Sequence, residues 1–241
     1  MKLKELYKAK ERSILTVMGQ QPKDYEGDFY CYGKSLTSLV GGPITVYGDF
    51  NCFTNNLTSF NGAPEKVYGD VYCHENEFTN LKGAPQKIGG DFYCDRNKLT
   101  SLEGCPQKVS GNFYCNDNQL TSLKGAPKKV NGTFSCDNNK LTSLEGCPQK
   151  VGGDFSCSFN QLTSLKDIHL HIKYIDGSAS FSNNSIKSHV AGLLLITGLR
   201  FVFLENIEVG RIINKYLRSN KDVSACIKEL EEAGFPEFAK L

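Results

Sequence analysis

Gly90-Asp-Phe-Tyr-Cys-Asp-Arg-Asn-Lys-Leu-Thr-Ser-Leu-Glu-Gly-Cys-Pro-Gln-Lys-Val-Ser110 is one of a series of near-copies of a 21-residue unit. Its leading glycine recurs as Gly27, Gly48, Gly69, Gly90, Gly111, Gly132 and Gly153. An unbroken period of this length predicts a solenoid, because one such unit cannot bury an apolar face alone and must stack on its neighbours. The opening Gly-Asp-Phe-Tyr-Cys alternates with period two, which predicts a strand with Phe and Cys inside and Asp and Tyr outside. Three residues after the Cys stands an Asn: Asn55, Asn76, Asn97, Asn118, Asn139 and Asn160. An inward Asn at a tight turn can bond the backbone of adjoining turns, so these residues predict a continuous amide ladder. Two apolar knobs follow, Leu99 and Leu102 in the quoted copy. The return leg, Gly-x-Pro and then Val or Ile, blocks a regular helix.

The pattern apolar-x-apolar-x-x-Asn-x-Leu-x-x-Leu, ending near a Pro, resembles the leucine-rich repeat, with Phe and Cys in the two middle apolar sites. The resemblance covers roughly residues 24–186. Lys34 replaces Asn in the first repeat; after Leu165 the Gly-x-Pro is lost and three residues are inserted before Gly177. An eighth unit (Ala179, Phe181, Asn184, Ile186) is therefore degenerate. The near-verbatim Leu-Thr-Ser-Leu, together with the tail from Ser185 to Ile196, is similar to leucine-rich-repeat proteins encoded by tailed bacteriophages. That resemblance implies a protein of the host bacterial cytoplasm that acts on a host component.

The expected fold is thus a repeat solenoid: a leucine-rich-repeat-like parallel β-sheet with irregular return legs, a short N-terminal helix and an α/β C-terminal cap. Residues 1–26 read as an N-terminal cap, 27–186 as the solenoid (seven regular repeats and one degenerate), and 187–241 as a C-terminal cap with two helices. In the first cap, residues 3–18 read as an amphipathic helix with Leu3, Leu6, Tyr7, Ile14, Val17 and Met18 available to cover the first repeat. Its Lys2, Lys4, Lys8, Lys10 and Arg12 read as a solvated face. In the second, residues 192–204 suggest one or two strands broken at Thr197-Gly198. Helices over about 207–218 and 222–233 follow, with Asp222 as an N-cap and Gly234 as a stop.

Composition excludes more than it selects. The 241 residues carry a net charge of +2, which calls for neither a nucleic-acid nor an anionic-membrane partner. No signal peptide is apparent, and the longest apolar run, Val190 to Leu204, falls short of the ~20 residues of a membrane span. A soluble, cytoplasmic protein is the expectation. Seven of the ten cysteines (Cys31, Cys52, Cys73, Cys94, Cys115, Cys136, Cys157) share one repeat position. Side chains pointing the same way on parallel strands make poor disulfide geometry, so core thiols in a reducing compartment are expected over disulfides or metal ligands.

Nothing in the chain reads as catalytic. His169 and His171 would share one face of a strand, but neither a third His nor a Cys-x-x-Cys completes a metal site. Cys226 reads as helix packing rather than as a nucleophile. No phosphate-cradling glycine loop is present. The expectation is a non-enzyme without cofactor or metal.

The outward lanes carry the functional reading. Before each inward Phe run Asp28, Asp49, Asp70, Asp91, Asn112, Thr133 and Asp154. Between Phe and Cys run Tyr30, Asn51, Tyr72, Tyr93, Tyr114, Ser135 and Ser156. Just after Cys run Tyr32, Phe53, His74, Asp95, Asn116, Asp137 and Ser158. Large exposed aromatics beside carboxylates suit a protein interface. The candidate partner-binding residues are Tyr30, Tyr32, Phe53, Asp70, Tyr72, His74, Asp91, Tyr93, Asp95 and Tyr114. The expected partner is a protein with a basic surface, a host defence component in the concrete version. A virion-associated or structural adhesin is the alternative. A second alternative, nucleic-acid binding, would use the return-leg lysines Lys66, Lys87, Lys108, Lys129 and Lys150. Solubility and protection against edge-to-edge aggregation explain that row at least as well, and nucleic acid is not the expected partner.

Overall fold

Each repeat does close one turn of a parallel β-solenoid. The computed structural model describes residues 12–241, and nine turns stack through them. One nine-stranded sheet runs the length of the stack from Phe29–Tyr30 to Phe201–Phe203, every strand beside its sequence neighbour. The register is that of the repeat: Phe92 pairs with Phe113 and Tyr93 with Tyr114, 21 residues on. The return legs are irregular apart from two-residue strands at Lys-Val or Lys-Ile, such as Lys66–Val67 against Lys87–Ile88. These form two further four-stranded ladders.

The core is a set of ladders running along the axis. Phe29, Phe50, Phe92, Phe113, Phe134 and Phe155 are buried in one ladder, with Val71 and Ala179 at its other two positions, and the seven cysteines of the repeat lie fully buried beside them, followed by Phe181. All ten cysteines are free. The Sγ atoms of Cys73, Cys94, Cys115 and Cys136 donate to the carbonyls of Tyr93, Tyr114, Ser135 and Ser156 at 3.1–3.3 Å. Burial pushes the Cys31 thiol up to about 12 and those of Cys52, Cys73, Cys94 and Cys115 well above their ordinary value. The Asn ladder is present as expected. Asn118 Oδ1 accepts from the Leu99 amide at 2.9 Å, while its Nδ2 donates to the carbonyls of Cys94 (3.1 Å) and Cys115 (3.2 Å), tying two turns together.

A second polar ladder explains the recurring glycines. Asp28, Asp49, Asp70 and Asp91 each present Oδ1 to the amide of the residue 21 positions on, at 2.7–2.9 Å. A Cβ on Gly90 would lie 1.9 Å from Asp70 Oδ1, and one on Gly111 2.0 Å from Asp91 Oδ1. The glycine is therefore required by the close approach of the previous turn's carboxylate. Gly27, with no turn before it among the described residues, meets nothing within 4 Å.

At the N-terminal end, α1 (Ile14–Met18) is capped by Ser13, whose side chain accepts from the Thr16 amide. Ile14 is buried and Met18 partly so, but Val17 points to solvent. The rest of the expected helix, with Leu3, Leu6, Tyr7 and its lysines, lies outside the described residues.

At the C-terminal end the insertion departs from expectation, while residues 192–204 keep one of the one or two strands expected there. The insertion after Leu165 forms a single helical turn, α2 (Ile168–His171), so His169 and His171 lie on a helix rather than a strand. A segment out of step with the 21-residue period cannot pair in register, and it closes on itself instead. Residues 192–204 hold one strand, Phe201–Phe203, preceded by a 3-10 segment at Ala191–Leu195. Ala191, Gly192, Leu193 and Leu194 are all buried, wedged against the neighbouring helices, and an unbroken buried run has no period-two face to offer a sheet. The two expected helices follow as α3 (Ile207–Leu217) and α4 (Val223–Glu232). Asp222 caps the second by accepting from Ala225, and Gly234 takes the left-handed conformation just past its end.

The last strand would leave an open sheet edge. In each regular turn the inward residue turns its amide and carbonyl toward the next strand, and Val202 has no next strand. Asn214 of α3 replaces it: Oδ1 accepts from the Val202 amide at 2.7 Å and Nδ2 donates to the Val202 carbonyl at 2.8 Å. A side-chain amide thus imitates the missing backbone and closes the stack.

Candidate binding face

The nine-stranded sheet turns its outward lanes to one side, and there the aromatic residues stand in files. Tyr72 stacks on Tyr93 at 4.7 Å between ring centres and 7° between planes, and Tyr93 on Tyr114 at 4.9 Å and 18°. In the adjoining lane Tyr32 stacks on Phe53 at 4.8 Å, and Phe53 on His74 at 4.7 Å. Edge contacts join the files, Tyr30 to Tyr32 at 6.1 Å and Tyr72 to His74 at 6.3 Å. Tyr30, Tyr32, Phe53, Tyr72, His74, Tyr93 and Tyr114 form one surface. The first two are 51% and 47% exposed, and the others are partly covered by their own stacking.

The acidic lane borders the rings and is bonded to them. The hydroxyls of Tyr30, Tyr72 and Tyr93 donate to Oδ2 of Asp28, Asp70 and Asp91, each at 2.9 Å. Each of these carboxylates therefore holds the next turn's backbone with one oxygen and a tyrosine with the other. The Asp49 amide and then the Tyr30 hydroxyl draw the Asp28 carboxyl below its ordinary value. Partial burial, then the bond to Asp70, pushes the Tyr72 hydroxyl up to about 12; Tyr93 shifts the same way for the same reasons. Asp95 is raised by burial. From Asp28 to Ser182 no lysine or arginine stands in the three lanes. Two side-chain atoms here, Asn51 Oδ1 and His74 Nδ1, are buried without a hydrogen-bond partner. Orphaned polar atoms are rare in folded proteins.

Past Tyr114 the face changes character. Ser135 is itself buried, and Asp137 accepts from the Ser156 hydroxyl at 2.7 Å, so this half is small, polar and hollow. It ends at a wall the repeat pattern does not announce. Phe201 and Phe203 extend the Asp and Tyr lanes by pairing with Ser178 and Ser180, and Phe203 is 50% exposed. The alternation Phe201-Val202-Phe203, with Val inside, was the available signal.

The remaining candidates lie elsewhere. His169 and His171 sit on α2, and Cys226 is buried in the cap with its thiol pushed up to about 12 by burial. Among the described residues no group of three or more His, Cys, Asp or Glu is arranged to hold a metal ion, and no helix is long and apolar enough to cross a membrane. Lys66, Lys87, Lys108, Lys129 and Lys150 stand exposed on the return-leg ladders. No protein-family model and no curated protein matches the chain.

Proposed function

We propose that the chain is a non-catalytic binding scaffold whose aromatic strand face docks a protein with a basic surface. The observation that carries this reading is the surface of seven rings in two adjoining files, bordered on one side by carboxylates and free of cations. Aromatic anchors held by stacking lose little freedom on association, which keeps the ordering cost low. The carboxylates anchor the frame and supply a fixed negative field that steers a basic partner. The host-protein version of the reading, in which that partner is a bacterial defence component bound by a bacteriophage protein, is supported by the resemblance in the repeat wording.

A photo-crosslinking residue placed at Phe53 tests the face. It should trap one protein from host cells in high yield, while the same residue at Thr142, on another edge of the stack, should trap none. Equal trapping from both positions would overturn the assignment of the face. Trapping that does not fall as salt rises would overturn its electrostatic part.

A further inference from the structure

A second surface lies on the return legs, where a row of like positive charge runs along the stack, the opposite in sign of the Asp lane on the strand face. In the turn lanes that carry both signs, charges on neighbouring turns alternate and pair. Lys82 meets Glu103 at 3.0 Å, Lys124 meets Glu145 at 3.1 Å, Arg96 meets Glu75 at 3.1 Å, and Lys98 meets Glu77. The return-leg row does the opposite. Lys66 stands in register with Lys87, and Lys108 with Lys129 and Lys150, each roughly 4.8 Å from its neighbour across the ladder. No ion pair among the described residues engages any of the five. Like charges directly opposite on a sheet are destabilising, and one Glu at alternate turns would have removed the cost.

Beside this row stands a truncated aromatic stack. Tyr47 and Tyr68 lie two residues beyond the Lys position on the same outward side, stacked at 5.2 Å and 7°, and exposed by 47% and 60%. The next residue of that file is Gly89, whose missing side chain leaves the far face of the Tyr68 ring open. A Cβ at Gly89 would lie 1.9 Å from the Tyr68 carbonyl oxygen, so the backbone itself keeps this position empty. The result is a hollow of about 350 Å³ walled by Tyr68, Lys66, Lys87, Lys108 and Ser110 and floored by Gly89.

We propose that this surface binds single-stranded nucleic acid, with a base stacked on Tyr68 in the slot over Gly89 and the phosphodiester chain following the lysine row. A cationic track beside an open aromatic face is the combination that holds a single strand without reading its sequence. A duplex would present no free base to the slot, and a flat anionic membrane would find a row only one residue wide. The net charge of +2 hides this surface because the acidic strand face cancels it.

The test is fluorescence anisotropy of a labelled oligothymidylate titrated with the full chain at several salt concentrations, with an abasic oligonucleotide of equal length as the second probe. Binding should weaken as salt rises, with a log–log slope of about −0.7 for each phosphate neutralised. Lys87→Gln combined with Lys108→Gln and Lys129→Gln should lower affinity at least about tenfold and flatten that slope by about 2. Tyr68→Ala should weaken the oligothymidylate at least about fivefold and leave the abasic strand unchanged. Equal affinity for the two strands would overturn the base slot. Absence of binding at low salt, or binding indifferent to the lysine substitutions, would overturn the surface. Tyr72→Ala, on the other face, should leave this binding intact while weakening the protein partner, so the two readings fail separately.

Discussion

At the scale of single residues, the frame depends on contacts between one turn's side chain and the next turn's backbone. Gly90→Ala should destabilise by about 1–3 kcal/mol, because the new methyl must displace the Asp70 carboxylate from the Asp91 amide. Asp70→Ala removes the obstacle, so the double variant should cost less than the sum of the singles in denaturant melts. Strict additivity would mean that the glycine is kept for another reason. The Asn ladder was legible in the sequence, since Asn at a turn has a well-known use. The Asp ladder was not: an Asp on an outward strand position looks like surface charge until the previous turn is seen beneath it. The same blindness covers Thr54, Glu75, Arg96, Asp117, Asn138 and Phe159, which all hold left-handed φ of 49–55° just before the ladder Asn. Their side chains have nothing in common, so no residue type announces the conformation. Thr54→Asn should therefore stabilise by about 1 kcal/mol, Asn tolerating that region better than a β-branched residue. A loss of stability in thermal melts would contradict strain at this position.

At the scale of elements, two devices hold the stack. One is the thiol file. The folded-state pKa values of Cys31, Cys52, Cys73, Cys94 and Cys115 lie above the ordinary thiol value of 9.0, so between that value and about 12 the folded state holds more protons than the unfolded one. The associated stability is fully present below 9.0 and is lost as pH rises toward 12, and Tyr72 adds to the same slope from its ordinary value of 10.0 upward. Denaturation midpoints should fall on the alkaline side. A midpoint unchanged from about pH 8 to about pH 11 would contradict buried thiols. Alkylation of the unfolded, unreduced chain should modify all ten cysteines, while the folded chain resists. The other device is Asn214. Asn214→Ala strips both partners from Val202 and should cost about 1–3 kcal/mol, with faster amide exchange in Phe201–Phe203 before the central turns respond. Uniform exchange along the stack would show that the edge needs no closure. The repeat legs could be read from the pattern because each copy repeats the instruction. The two cap helices could be read from their apolar faces and the Asp222 cap, but α2 and the 3-10 segment could not, since they take their form from packing against one another.

At the scale of the molecule, the solenoid is a two-sided object, with an acidic aromatic strand face and a lysine row on the return legs. The aromatic files were placed correctly by period-two alternation, because a parallel stack in register must set like positions side by side. Phe203 and the slot at Gly89 were missed, because one belongs to a turn outside the repeat and the other is defined by a side chain that is absent. The most direct test of the account is the affinity of the crosslinked partner for the Tyr72→Ala/Tyr93→Ala variant, measured by titration against wild type and against Glu145→Ala, a substitution on another edge. Neither ring enters the inner Phe and Cys files, so the fold should survive in thermal melts. The account predicts a loss of at least about 2 kcal/mol, roughly thirtyfold in Kd, for the tyrosine pair and none for the control. Unchanged affinity for the tyrosine pair, with the fold intact, would contradict it.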